Sequence, residues 1–273
     1  MTRKGTSHII LILFTIGIMV FLLSPLVPVV VSSFSRLPVV VFPPRGFTLS
    51  WYANIPAKYW GSLGTSLMVA ALTATCVCLL GVPATFALVR GSYPGRNWVQ
   101  ALLMSPLQVP YVVSGIVFMQ FFFSVQQMIG VSLLGSITGL TLSHTILALP
   151  FMVSTLGPVL QRFHGSLEEA ALSLGASRVR TMQRITLPVI APGIFAGAMF
   201  AFICSFGDVA ATVFLVSSRT MTLPVEMFYA MEFDMKPSVL AISTLVIIIS
   251  AAMIRLIYRF TETEGGGGGE RLA

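Results

Sequence analysis

The chain has 273 residues, of which 56% are hydrophobic and only 9% charged, with a formal net charge of +7. Soluble domains carry about 25% charged residues, so this composition excludes a soluble fold and points to a polytopic, all-α membrane protein. The positive charge does not indicate nucleic acid, because the basic residues lie between apolar runs, where they orient a chain in a bilayer.

Residues 9–34 carry no charge, and a span needs only about 20 residues. Arg3 and Lys4 precede this run. A secretory signal shares those marks, but the run exceeds an ordinary signal core and no Ala-x-Ala site follows. It is read as a first span, bent or ended by Pro25 and Pro28. A Pro-rich loop with Trp51, Tyr52, Tyr59 and Trp60 follows, and these rings suit an interfacial aromatic belt. Residues 62–89 form the second span. Residues 98–124 form the third, broken early by Pro106 and Pro110, with a turn at Gln126 and Gln127. Residues 133–156 form the fourth, 190–216 the fifth and 239–258 the sixth. A short helix over 224–233 is expected between the last two. The run of glycines after Glu264 cannot repay its ordering entropy and reads as a mobile tail. The organisation is thus 1–61, a first span with its loop; 62–260, the membrane core; and 261–273, the tail.

Six spans place both termini on one side. On that side lie Arg3, Lys4, Arg90, Arg96, Arg162, Arg178, Arg180, Arg184, Arg255, Arg259 and Arg271. The other side holds only Arg36, Arg45, Lys58, Arg219 and Lys236. The positive-inside bias therefore puts both termini, and the loop between spans four and five, in the cytoplasm.

That loop, 166–188, is the longest charge-bearing stretch flanked by membrane-grade sequence. Ser166 and Glu169 have capping-box spacing. Leu167, Ala170, Ala171 and Leu174 recur at helical spacing. Gly175 suits a helix C-terminus, and Ser177 can cap a second short helix bearing Arg178, Arg180 and Arg184. Val179, Met182 and Ile185 share a side of it, and Pro188 is expected to disturb it. The loop reads as a helix–turn–helix hairpin.

The remaining motifs are few. No P-loop exists, since Lys4, Lys58 and Lys236 all lack that setting. No cluster has metal-ligand spacing, and no nucleophile–base pair is evident. Cys76, Cys78 and Cys204 read as small packing residues. The chain is therefore not expected to be an enzyme or to hold a cofactor or metal. Asp208 is the only charged residue deep within a span, which is costly and implies a polar partner or a pathway. Ser205 and Thr212 are expected on its helical face, and Tyr111, Gln120 and Phe206 are weaker pathway candidates. His144 is read as hydrogen-bonded packing. Gly193 and Gly197 make a GxxxG pattern for close helix contact. An ion-coupled carrier or channel is the rival class, but it would usually show more ionisable groups in its spans.

Glu169-Ala170-Ala171, three residues, Gly175, nine residues, then Ile185-Thr186-Leu187-Pro188 resembles the EAA loop of type I ABC importer permeases. With the six-span layout, the resemblance covers nearly the whole chain. Met104-Ser105-Pro106, the acid at Asp208 and Thr222-Leu223-Pro224 make the chain similar to the spermidine/putrescine permease group. Permeases for iron, sulfate and other solutes also carry an acid near that point. The resemblance implies a second permease subunit, two ATP-binding cassette subunits and an extracytoplasmic solute-binding protein as partners, within membrane lipid. It implies that Glu168, Glu169, Ala170, Ala171, Gly175, Ala176 and Arg178 dock the ATPase, and that the solute is a polyamine or related cation. Glu169 is expected to cap its own helix in large part, leaving Glu168 the more exposed carboxylate.

Overall fold

The computed structural model describes residues 3–233 and 236–265. They form helices and turns, with only an isolated antiparallel bridge between Ser35 and Phe47. The chain divides into two compact units, 1–59 with 229–273, and 60–228.

In the first unit, α1 (Arg3–Leu23) meets α2 (Leu26–Ser32) at a bend of 47°. Pro25 sits at that bend, where its ring and missing N–H interrupt the helical ladder. A loop leads to α3 (Ser50–Ala53), where two of the aromatics, Trp51 and Tyr52, tie the loop together. Trp51 Nε1 donates to the Ser35 carbonyl at 2.8 Å, and the Tyr52 hydroxyl lies 2.6 Å from Ser33 Oγ. Phe34 stacks on Tyr52.

The second unit takes in α4 (Ala57–Arg90) from Trp60 onward. There follow α5 (Arg96–Met104), α6 (Tyr111–Ile129) and α7 (Ile137–Arg162). The hairpin helices are α8 (Ser166–Ser173) and α9 (Arg178–Thr181), followed by a π turn, Met182–Thr186, and α10 (Leu187–Gly207). Helix α11 (Leu223–Phe233) begins in this unit, and α12 (Pro237–Gly265) returns to the first, where it packs on α2 and α3. The expected tail begins inside α12, and residues 266–273 lie outside those described.

Helix α7 is the core of the second unit, with 61% of its apolar window buried against 17–28% for the other long helices there. In lipid, apolar surface alone does not drive helices together, so contact depends on close backbone approach at small residues. Met152 of α7 illustrates this. A Cβ on Gly81 of α4 would fall 2.9 Å from its side chain, and one on Gly197 of α10 would fall 2.6 Å from its sulfur. Gly193 meets Val159 and Leu156 of α7 in the same way. The GxxxG pattern is therefore a packing seam. Phe122 is buried, while Phe121 and Phe123 point outward.

Four helical segments are long and apolar enough to cross a membrane: α4, α6, α7 and the continuous stretch Arg178–Gly207. The bent α1–α2 pair makes a fifth if counted as one span. The third expected span is broken at Pro106 and Pro110 as expected, into two helices, while two other boundaries differ from expectation. Helix α5 ends in a 3₁₀ turn at Ser105–Gln108, and α6 starts only after Pro110. Helix α6 also continues through Gln126 and Gln127 to Gly130, whose φ of 75° ends it. The fifth expected span stops at Gly207, because Asp208 turns extended, with ψ 124°.

Candidate functional site

Asp208 follows the last residue of α10 and is the residue that breaks it. Its carboxylate accepts from the Thr212 backbone N–H at 2.8 Å, from the Thr212 hydroxyl at 2.6 Å and from Ala211 N–H at 3.4 Å. A short 3₁₀ turn, Thr212–Phe214, forms beyond this cap. Asp208, Ser205 and Thr212 therefore do not share a helical face as expected. The helix ends at Asp208, and Thr212 reaches the carboxylate from the turn that follows.

His144 of α7 joins these residues. Its Nε2 lies 2.9 Å from Thr212 Oγ1 and its Nδ1 lies 2.7 Å from Ser205 Oγ. Because the Thr212 hydroxyl donates to Asp208, Thr212 Oγ1 accepts from His144 Nε2, leaving Nδ1 to face Ser205. Nε2 is 3.8 Å from the Asp208 carboxylate, and both side chains are almost fully buried. Ser205 Oγ also hydrogen-bonds Thr73 Oγ1 of α4 at 3.3 Å. The cluster thus links α4, α7, α10 and the turn after α10. Gly115 of α6 closes it, since a Cβ there would sit 2.7 Å from the Ala211 backbone.

Tyr111, at the start of α6, lines a cavity with His144, Leu147, Ala148, Cys204, Ser205 and Asp208. The cavity has room for about one water molecule. Gln120 and Phe206 do not line it. His144 is buried and hydrogen-bonded as expected, and its two ring nitrogens also make it the hub of the cluster. The cue lay in its sequence neighbours Thr141, Ser143 and Thr145, a polar run within an apolar span. Among the described residues, no group of His, Cys, Asp and Glu could hold a metal ion.

The hairpin forms a second site. Gly165, not Ser166, is the N-cap of α8, and Glu168 and Glu169 N–H groups both donate to its carbonyl. The helix starts one residue earlier than the capping-box reading requires, so that reciprocal bond is absent. The far end matches expectation. Gly175, at φ 84°, donates to the Leu172 carbonyl, and Ala176 donates to the Ala171 carbonyl. These two bonds complete a Schellman motif. The Ser177 hydroxyl then caps α9, accepting from Arg180 N–H at 3.3 Å. Pro188 does not end the second helix. It disturbs that helix as expected: a π turn precedes it, closed by the Leu187 N–H donating to the Met182 carbonyl, and the chain continues into α10.

The two carboxylates exchange their expected places. Glu169 is exposed, whereas Glu168 turns inward to Arg90 and Thr186. Partial burial pushes the Glu168 carboxyl up, but the hydrogen bonds from Thr186 and Arg90 and the Arg90 charge together hold it below its ordinary value. Ala171 is the buried anchor of α8. Ala170 and Arg178 are exposed, Ala176 is half-buried, and Leu167, Leu174 and Val179 leave apolar surface uncovered.

Residues 79–262 match the family described as binding-protein-dependent transport system inner membrane component, and the chain belongs to that family. It is a multi-pass inner-membrane permease component of such a system. It is similar to the putrescine transport system permease protein PotI of Escherichia coli strain K12, with 29% identity over 230 residues, 83% of this chain and 82% of that one. The spermidine/putrescine transport system permease protein PotC of Shigella flexneri is also 29% identical, over 93% of this chain and 96% of its own. A probable molybdenum ABC transporter permease protein of Haloferax volcanii is 37% identical over 60% of this chain and 62% of its own. The fold resembles that of a bacterial ABC transporter involved in the import of the acidic polysaccharide alginate, with a TM-score of 0.67 over 96% of this chain and 98% of that one, at 17% identity.

Proposed function

We propose that the chain is the non-hydrolysing membrane subunit of an ATP-driven importer. It crosses the membrane six times, α12 being the sixth span, with both termini and the hairpin in the cytoplasm. It pairs with a second permease subunit, receives two ATP-binding cassette subunits at the hairpins, and takes solute from an extracytoplasmic binding protein. The observation that carries this reading is the hairpin itself. It is a compact knob closed by the Schellman bonds at Gly175 and Ala176, with uncovered Leu167, Leu174 and Val179 and an outward carboxylate on Glu169. Such a surface suits a protein groove better than water. Alternating access would then be rigid-body rocking, biased by the partner's nucleotide state.

The solute path borders the cluster of Tyr111, Ser205, Asp208 and Thr212, where polar groups sit at membrane depth and the cavity must widen to pass a solute. The preferred solute is a polyamine or a related organic cation. In support, the relatives named for putrescine and for spermidine/putrescine match most of the chain. The higher identity to the relative named for molybdenum favours a second reading, import of an inorganic solute. Labelled putrescine uptake by the assembled complex in proteoliposomes, competed with spermidine or molybdate, separates the two. Saturable uptake blocked by spermidine alone is expected, and block by molybdate would overturn the polyamine reading. Asp208→Asn is expected to raise KM at unchanged complex yield. Unchanged kinetics would remove Asp208 from the path.

A further inference from the structure

Arg90 is the last residue of α4, where a cation complements the helix dipole. One guanidinium nitrogen donates to both carboxylate oxygens of Glu168, each at 2.9 Å. The guanidinium also lies over two rings, 5.3 Å from Phe86 of α4 and 5.1 Å from Phe163, the residue that ends α7. Glu168 Oε1 accepts in addition from the Thr186 hydroxyl, at 2.5 Å. Thr186 is fully buried at the root of α10, inside the π turn. Four elements, α4, α7, α8 and α10, therefore converge on one carboxylate–guanidinium pair.

We infer that Arg90 and Glu168 form an internal latch that makes the hairpin move as one body with α4 and α10. Apart from it, α8 is held to the root of α10 by the packing of the small Ala171 and by the covalent path through Gly175, α9 and the π turn, which is short and locally deformable. The latch adds a side-chain brace across that path and carries a displacement of the knob to α4 as well. Adjacent helical residues point about 100° apart, so neighbouring glutamates take different tasks. Glu168 braces inward while Glu169 faces out. Arg90 is thus a positioning residue that acts through Glu168. The inference rests on the proposed docking of the ATPase only for the direction in which the latch is loaded.

The test uses the full chain with its ATPase subunits bound and reads hydrogen exchange of the hairpin amides. Glu168→Gln and Arg90→Gln are each expected to speed exchange over residues 166–175 by about fivefold. The double variant should exchange no faster than either single one, and the charge swap Glu168→Arg with Arg90→Glu should recover much of the protection. ATPase retention should stay at the wild-type level in Arg90→Gln. Unchanged exchange in the single variants, or additive effects in the double, would overturn the latch. So would loss of the ATPase in Glu168→Gln, since that would place Glu168 on the docking surface. If the wild-type chain retains no ATPase, the docking reading fails, while the exchange measurements still decide the latch.

Discussion

Thr212 carries two bonds with a single hydroxyl: it donates to Asp208 and accepts from His144. Thr212→Val keeps the shape and removes both, leaving buried polar atoms unpaired. We expect a loss of about 2 kcal/mol, read as a lowered thermal unfolding midpoint in detergent. Glu168 offers a test by pH. Its carboxyl is held below its ordinary value, so the latch is complete above the unfolded carboxylate pKa and is lost as pH falls through the lowered folded one. Hairpin protection should therefore hold at neutral pH and fall in acid, and Glu168→Gln should remove that acid-dependent step. At this scale the sequence was a partial guide. Asp208 and Gly175 were legible because a buried charge and a helix-ending glycine each have few uses. The partners of His144 and the inward turn of Glu168 were not, because Ser205 and Thr212 lie 61 and 68 positions from His144, and Arg90 and Thr186 lie 78 and 18 positions from Glu168.

The seam between α7 and α10 depends on glycines that leave no room for a side chain. Gly197→Val would push against the Met152 sulfur and its Cα, the latter 3.0 Å from the new Cβ. Overpacking of this kind costs about 1–3 kcal/mol, so yield of folded protein in detergent should drop. Gly64→Ala in α4 meets nothing within 4 Å and should leave that yield unchanged or higher. Most helices followed from apolar runs and their punctuation, including the breaks at Pro25 and near Pro106. The early end of α10 did not, because Gly207-Asp208 sits in an apolar run whose average hides it. Read locally, a glycine followed by an acid that caps the next turn is a stop signal. The disturbance expected at Pro188 takes the form of the π turn Met182–Thr186, after which the chain continues as α10.

For the whole molecule, scarcity of charge excludes a soluble fold, and the proposed function leaves the hydrolytic work to a partner. The hairpin is where that work would enter. Its outer face carries Glu169 and exposed leucines, and its inner face is tied by Glu168 to the membrane helices. The membrane class and the hairpin were legible in composition and spacing. The tie between the hairpin and α4 was not, since no local pattern relates Arg90 to Glu168. The central claim is that a separate ATPase drives this chain through the hairpin. The most direct measurement is solute uptake by proteoliposomes holding the complex, with ATP inside, comparing the wild type with Gly175→Pro. Proline cannot adopt the φ of 84° at this position. The account predicts ATP-dependent uptake by the wild type, and a variant that inserts normally yet does not couple hydrolysis to uptake. Uptake by the chain alone on an ion gradient, or full transport by Gly175→Pro, would contradict it.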